Sequence, residues 1–566
     1  MKFISSIAAR LIISSLATGA MPCVIAAQEP AAPAEDLKQE LHQTRQMLQE
    51  QAELLRRMGL EMERQGKEIE ELRQQLSATP AASTPPFNNS ATGDAVRLQN
   101  AVQTLRAPAG LPVEQAVPSK GETAISEPSE LFFRIGAATF TPSGWVDLTT
   151  YYRSNDVGSG LGTNFQSIPY SNTVPGGQSE TRMTAQASRF AIRVDEAVGK
   201  TRAYGYAEAD FNGYLPGNAY VSTNSNSLRM RVYYLNLARG KWEILGGQGW
   251  SLLTPTRKAL SPFLEDLFNT FHLDTNYQAG LTYARQAQFR LVYHLANHWA
   301  AGLSVENPEQ FSGSAATFPT LFSNSETDVN STTGSGGSTA TPNRHPDLIV
   351  KTTFDRTLNG LYWHVGAAGL LTSARVYTPA SVTKGNAASD AREGGGIAGN
   401  IFLELFKGFH LLGLGYWSDG GGRYIGGMGP GFVVLQTGSA TSPFATALIH
   451  SGSGIGGFEW KINRHTTISS YYSTAYFQRR FALDPGNKTA TYAGYGFVGS
   501  ANTNNRTVHE ASFASTTTLW QSPKNGALQA IMQSSYVTRA PWYVALDQPE
   551  NAHTFMEFVN LRYILP

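Results

Sequence analysis

The sequence predicts an all-β chain: a transmembrane antiparallel β-barrel of about 16 strands, preceded by an N-terminal coiled-coil helix. Three observations carry this. From about residue 129 to the end, apolar and polar residues alternate again and again without a long apolar run. An export signal opens the chain, and a heptad array follows it. A period of two, with oily residues on one side and arginines on the other, describes a strand whose faces meet different solvents. Many such strands behind an export signal describe an outer-membrane barrel with an oily outside and a polar lumen.

Residues 1–27 read as the signal peptide. Lys2 and Arg10 precede the apolar stretch 11–20, and small residues allow cleavage after Ala26 or Ala27. A membrane anchor is the competing reading, but the stretch is too short to span about 30 Å of hydrocarbon. Cys23 follows Pro22, which disfavours a lipoprotein, and cleavage removes this one cysteine. A scaffold of small disulfide-linked domains is thereby excluded.

Composition agrees. Charged residues make up 15%, below the roughly 25% of soluble domains. A mean hydropathy of −0.24 is too polar for a helical membrane protein. The net charge of +1 gives no reason to expect nucleic acid as a partner.

Residues 36–77 carry the heptads. The a positions are Leu41, Leu48, Leu55, Met62, Ile69 and Leu76; the d positions are Leu37, Thr44, Gln51, Met58, Gln65 and Leu72. The unbroken 4-3 spacing with charged flanks predicts a coiled coil reaching into the periplasm, with peptidoglycan as a possible partner. Polar Thr44, Gln51 and Gln65 in the seam set register at a cost in stability. Residues 78–128, rich in Ala, Pro, Ser and Thr, read as a flexible linker.

Residues 129–566 read as the barrel. In 188–195, Ser188, Phe190, Ile192 and Val194 alternate with Arg189, Ala191, Arg193 and Asp195. In 145–153, Val146, Leu148, Thr150 and Tyr152 oppose Asp147, Thr149, Tyr151 and Arg153. Ala207, Ala209 and Phe211 oppose Tyr206, Glu208 and Asp210; Leu228, Met230, Val232 and Tyr234 oppose Arg229, Arg231 and Tyr233. Ala287, Phe289, Leu291 and Tyr293 oppose Gln288, Arg290 and His294, and the last strand sets Val559, Leu561 and Tyr563 against Asn560 and Arg562. At roughly 27 residues per strand and connection, the segment holds about 16 strands. The long polar run 312–344 reads as an extracellular or pore-folded loop.

Charged residues opposite the apolar face are the candidate pore lining. Arg189, Arg193, Arg229, Arg231 and Arg290 would form a basic ladder, with Asp147, Glu208 and Asp210 sharing the lumen; Asp195 belongs to the same face. Guanidinium groups bind carboxylates bidentately, so the ladder would draw small anionic solutes such as dicarboxylates. A structural arginine–carboxylate network on the wall is the plainer reading of the same residues. Tyr151, Tyr152, Tyr233 and Tyr234 read as girdle aromatics rather than ligand binders.

Several strings carry a family resemblance: Ser188-Arg189-Phe190, the 246–251 segment Gly-Gly-Gln-Gly-Trp-Ser, the 286–290 segment Gln-Ala-Gln-Phe-Arg, Val305-Glu306-Asn307-Pro308, His345-Pro346-Asp347 and the closing 561–566 segment. With the signal, coil, linker and barrel in that order, the chain resembles the DcaP-like trimeric porins. The resemblance implies a homotrimer and passive diffusion of small, often anionic solutes. The chain departs from the commoner barrel ending in closing on Leu-Pro, with Tyr563 as the aromatic for the barrel-assembly machinery.

No enzyme is expected. No G-x-S-x-G elbow stands out, the Gly394–Gly396 and Gly420–Gly422 clusters lack the Lys-Ser/Thr of a phosphate loop, and His294 with His298 sits in strand and turn. No catalytic residue, metal or cofactor follows. The expected surroundings are outer-membrane lipid and lipopolysaccharide. The competing function is an outer-membrane anchor or spacer tied to the cell wall through the coil.

Overall fold

The computed structural model describes residues 131–213, 226–268, 272–313, 315–322, 343–381 and 385–566, with the backbone of 327–328 and 338–339. The expected signal peptide, coiled coil and linker (1–27, 36–77, 78–128) lie outside the described residues.

Sixteen antiparallel strands close into one barrel. In chain order they are β1 (Ala138–Arg153), β2 (Arg189–Val198), β3 (Thr201–Asp210), β4 (Arg229–Arg239), β5 (Trp242–Trp250), β6 (Arg285–Ala296), β7 (Trp299–Glu306) and β8 (Asp347–Leu358). The second half comprises β9 (Leu361–Thr378), β10 (Ala388–Phe406), β11 (Phe409–Asp419), β12 (His450–Lys461), β13 (Thr466–Phe477), β14 (Asn505–Ser522), β15 (Gly526–Pro541) and β16 (Ala552–Ile564). Two short segments, Phe133–Ile135 and Glu180–Thr184, pair with β1 and complete its edges. The ring closes where β1 pairs with β16, from Trp145↔Ile564 to Arg153↔Met556. Closure leaves no unpaired sheet edge, the condition for strands to cross hydrocarbon.

One end carries short turns. At 359–360, Asn359 (φ 52°) and Gly360 (φ 82°) supply the two positive φ values of a tight hairpin turn. The other end carries long loops, among them 154–179, 251–284, 420–449 and 478–504. The alternation reappears as two solvents. Along β1, Val146 and Leu148 are exposed outward, while Asp147, Thr149, Tyr151 and Arg153 are buried on the inside. Outside β5–β12, Ile244, Phe289, Leu303, Val350, Val365 and Trp417 present an apolar belt. Aromatics gather near the turns, where Trp242 meets Tyr293 at 4.5 Å and Phe406 meets Phe409 at 4.7 Å.

The expected alternation fails in β4. Glu208 pairs with Val232 and Ala209 with Met230, so Arg231 is the extra residue of a β-bulge. A bulge shifts the two-residue period by one. Val232 and Tyr234 therefore point inward and are buried, while Tyr233 points out. Of the four tyrosines read as girdle residues, Tyr152 and Tyr233 face outward; Tyr151 and Tyr234 are buried inside. Among the described residues, 251–268 and 272–284 enter the barrel. The described part of 312–344 instead packs on the loop-end hairpins: Thr317 pairs with Gly494, and Thr320 Oγ1 donates to Asp484 at 2.6 Å.

Candidate functional site: the charged inner wall

The inner faces of β2, β3 and β4 bring the sequence-selected charges together. Asp210 pairs in register with Arg189 on β2 and with Arg229 on β4. Arg229 grips Asp210 through two nitrogens, at 2.9 and 2.7 Å. The bulge aims Arg231 between both acids, 2.6 Å from Glu208 and 2.7 Å from Asp210. Arg189 approaches Glu208 at 3.5 Å and lies over the Trp145 ring at 4.4 Å. Arg193 binds Asp195 and sits 4.8 Å over the rings of both Tyr204 and Phe263. The arrangement alternates cation and anion rather than stacking arginines as a bare ladder.

One more arginine, not selected from the sequence, joins this wall. Arg285, at the start of β6, is half-buried over the Trp250 ring at 5.6 Å. Among the described residues it has no carboxylate within 4 Å. Five arginines (189, 193, 229, 231 and 285) thus face three strand carboxylates (195, 208 and 210) and Glu265 of the inner loop, which interacts with Arg193 and Glu208, leaving an excess of one positive charge. Exposure separates them: the Arg229 side chain is 33% exposed and that of Arg231 3%.

The two remaining candidates lie elsewhere. Asp147 is 1% exposed at the β1–β16 seam, accepting from Thr149, Asn560 and Arg562. Arg290, on β6, is buried and donates to Gln288 Oε1 and to the Trp250 carbonyl.

The segments 251–268 and 272–284 run inside the barrel. The first begins where Leu252 N–H donates to Glu306 of β7 and Lys351 of β8 donates to the Thr254 carbonyl. Arg257 forms a forked ion pair with Glu459 of β12, and Ala259 N–H donates to Asp355 of β8 at 3.0 Å. Farther on, Leu273 N–H reaches Gln533 of β15, and Ala279 N–H reaches Glu510 of β14 at 2.8 Å. Gly280 adopts φ +83°, and a Cβ there would stand 2.6 Å from the Thr474 carbonyl, so only glycine lets the loop lie this close to β13. Two contacts span to the arginine wall: Phe263 stacks on Tyr204 at 5.2 Å, and Tyr277 Oη accepts from Arg231 at 3.0 Å. His272 bridges the Tyr277 carbonyl and Ser512 Oγ, and burial pushes its pKa down to about 4.

Sequence reasoning passed over this loop. Its signal is composition: Leu252, Leu253, Leu260, Leu267, Phe268 and Leu273 are all buried, more apolar residues than an external connection needs. Between it and the 154–179 and 420–449 loops lies a cavity of 240 Å³ with an uncharged lining that includes Thr163, Asn164, Gln166, Asn276 and Gln278. Among the described residues, no three His, Cys, Asp or Glu side chains are grouped to hold a metal.

No family model and no curated relative matches the sequence. Solved structures do. The outer membrane channel DcaP of Acinetobacter baumannii aligns with 76% of this chain and 99% of its own, at TM-score 0.53 and 15% identity. An anion-selective porin from Comamonas acidovorans (76% and 100%, TM-score 0.39, 12% identity) and Salmonella typhi OmpF in complex with daunomycin (77% and 100%, TM-score 0.37, 8% identity) are more distant. The chain is thus similar to DcaP in fold: a closed 16-strand antiparallel barrel.

Proposed function

We propose that this protein is an outer-membrane porin passing small solutes by diffusion, with a preference for anions such as dicarboxylates. The observation that carries the proposal is the inner wall, where five arginines meet three strand carboxylates and one carboxylate, Glu265, on the loop folded into the lumen. Fixed charge at a narrowed lumen sets which ions enter. Arg229 and Arg193 are the partly exposed members that would meet a solute, while Arg189 and Arg231 hold the acids in place. No step of covalent chemistry is involved.

The assembly we propose is a homotrimer, with the coiled coil of 36–77 in the periplasm. The outer surface supports a protein-covered sector. Midway along β16, Glu557 faces outward and accepts from Ser534 of β15 at 2.9 and 2.8 Å. Nearby, His509 of β14 meets Tyr472 of β13 at 3.1 Å, also outward. A carboxylate facing lipid at mid-barrel is costly, and the strands β5–β12 carry none there. A neighbouring protomer over β13–β16 removes that cost.

Single-channel recording of the purified chain in planar bilayers tests the reading. Three equal conductance steps with a reversal potential toward the anion side are expected. A folded, inserted barrel with no conductance would favour the alternative function, an anchor tied to the cell wall by its coil.

A further inference from the structure

We propose that the cavity between the inner-loop segment 272–284 and the loops 154–179 and 420–449 binds one neutral, polyhydroxylated solute, a free sugar or polyol of monosaccharide size. Its volume is 240 Å³. That is below the roughly 300–1,000 Å³ of a pocket for a drug-sized ligand, and it suits a single sugar ring rather than an extended chain.

The lining carries hydrogen-bonding capacity but no ionised side chain. Gln278 is engaged by the wall, donating to Ser473 Oγ at 2.8 Å and accepting from Ser512 Oγ at 2.9 Å. Asn276 commits its nitrogen to the Thr163 carbonyl at 2.9 Å, and its amide oxygen is left over. Among the described residues, the side chains of Asn164 and Gln166 and the Tyr283 hydroxyl have no hydrogen-bond partner. A primary amide offers a donor and an acceptor side by side, which matches two neighbouring hydroxyls of a sugar. The Tyr283 ring adds a flat apolar surface for the C–H face of the same molecule. Burial keeps the Tyr283 hydroxyl neutral, its pKa raised to about 12. Asp274, on the same segment, is fully buried and accepts from the N–H groups of Thr163 and Asn276, and Arg423 is held by Asp347. Arg229 and Arg285 act on Tyr283 from the arginine wall, and neither lines the cavity.

The frame around these groups is fixed by other contacts. The 3₁₀ turn Phe165–Ser167 is tied to β14 by Asn505 Nδ2, which donates to the Gln166 carbonyl at 3.0 Å. Tyr283 N–H donates to the Tyr424 carbonyl at 2.9 Å, and its ring meets Tyr277 edge-on at 5.5 Å. Gly426 and Gly427 take φ of +56° and +67°. A Cβ at Gly426 would stand 3.6 Å from the Tyr283 ring, and one at Gly427 would enter open space. The two glycines turn the 420–449 loop while adding no side chain to the cavity. The site rests on this geometry and not on the porin reading: a chain that binds sugar yet conducts nothing leaves it standing.

The test is saturation-transfer NMR on the full chain, held in a detergent without a sugar headgroup and titrated with glucose, galactose and mannitol. Saturable transfer to at least one of the three is expected. Its affinity should be the same at about 0.1 M and 1 M salt, although the Debye length falls from about 10 to 3 Å, and succinate should not displace it. Asn164→Leu combined with Gln166→Leu should weaken binding by about tenfold, with heat-resistance on gels retained because neither side chain bonds to another element. Tyr283→Phe keeps the ring, removes only the hydroxyl and should weaken binding by about threefold; it decides alone if the double variant fails to fold. No saturable transfer from any of the three overturns the proposal. So does an affinity that falls with salt, displacement by succinate, or equal binding in wild type and variants.

Discussion

Replacing Arg285 with glutamine removes a positive charge from the inner wall while breaking no ion pair, because no carboxylate lies within 4 Å of it among the described residues. At about 8 Å from a permeating ion, one unit charge is worth about 0.5 kcal/mol in bulk water and about 1 kcal/mol at half that dielectric constant. Because the energy acts with opposite sign on anion and cation, the ratio of anion to cation permeability should fall by about six- to thirtyfold. The assay is the reversal potential across a planar bilayer under a dilute potassium chloride gradient. The same measurement near 1 M salt, where the Debye length shrinks to about 3 Å, should show little difference between variant and wild type. Thermal stability should stay close to wild type. An unchanged permeability ratio at low salt, or a shift toward anions, would refute the assignment of Arg285 to the conducting wall. Asp210→Asn is the companion in the opposite direction. It should raise anion preference, but at a cost of about 3–5 kcal/mol, since the buried Arg231 loses one of its two acids.

Three further outcomes are expected. Glu459→Gln leaves Arg257 without its carboxylate, loosening the inner loop by about 3 kcal/mol and increasing open-channel current noise; a trace as quiet as wild type would count against the clamp. Gly280→Val places a Cβ against the Thr474 carbonyl in a conformation that disfavours side chains, so heat-resistance on gels should drop by an amount equivalent to about 1–3 kcal/mol. His272 remains neutral in the fold, its pKa depressed to about 4 by burial. Unfolded histidine takes up a proton below about 6.5, so stability should be full above that pH and decline as pH falls toward 4. His272→Gln should flatten that decline in melting experiments across the same window.

Much of the barrel is legible in the sequence, because lipid and water impose opposite demands on alternate residues. Phe190 and Ile192 against Arg189 and Arg193, or Phe289 against Arg290, state their faces directly. What fails is what the period of two does not encode. One inserted residue at Arg231 turns Tyr234 inward and Tyr233 outward, and nothing in the local composition marks the bulge. Pairing is equally hidden: Arg189, Glu208, Asp210 and Arg231 look like two separate charge sets until β3 lies between β2 and β4. The inner loop escaped for a different reason. Its polar and apolar residues follow no regular spacing, because they answer to several strands in turn rather than to one face.

The β1–β16 seam carries a consequence for how the chain is made. Asp147 is fully enclosed there, and two of its partners, Asn560 and Arg562, come from residues more than 400 positions away. Until the last strand arrives, that carboxylate has no Arg562 to neutralise it, and the edges of β1 and β15 stay open. Contacts this distant in sequence form late and slowly. A chain cut short before residue 560 therefore loses its closing hydrogen bonds and retains a charge it cannot bury. The seam works as a checkpoint: only a chain that carries β16 can shut the ring.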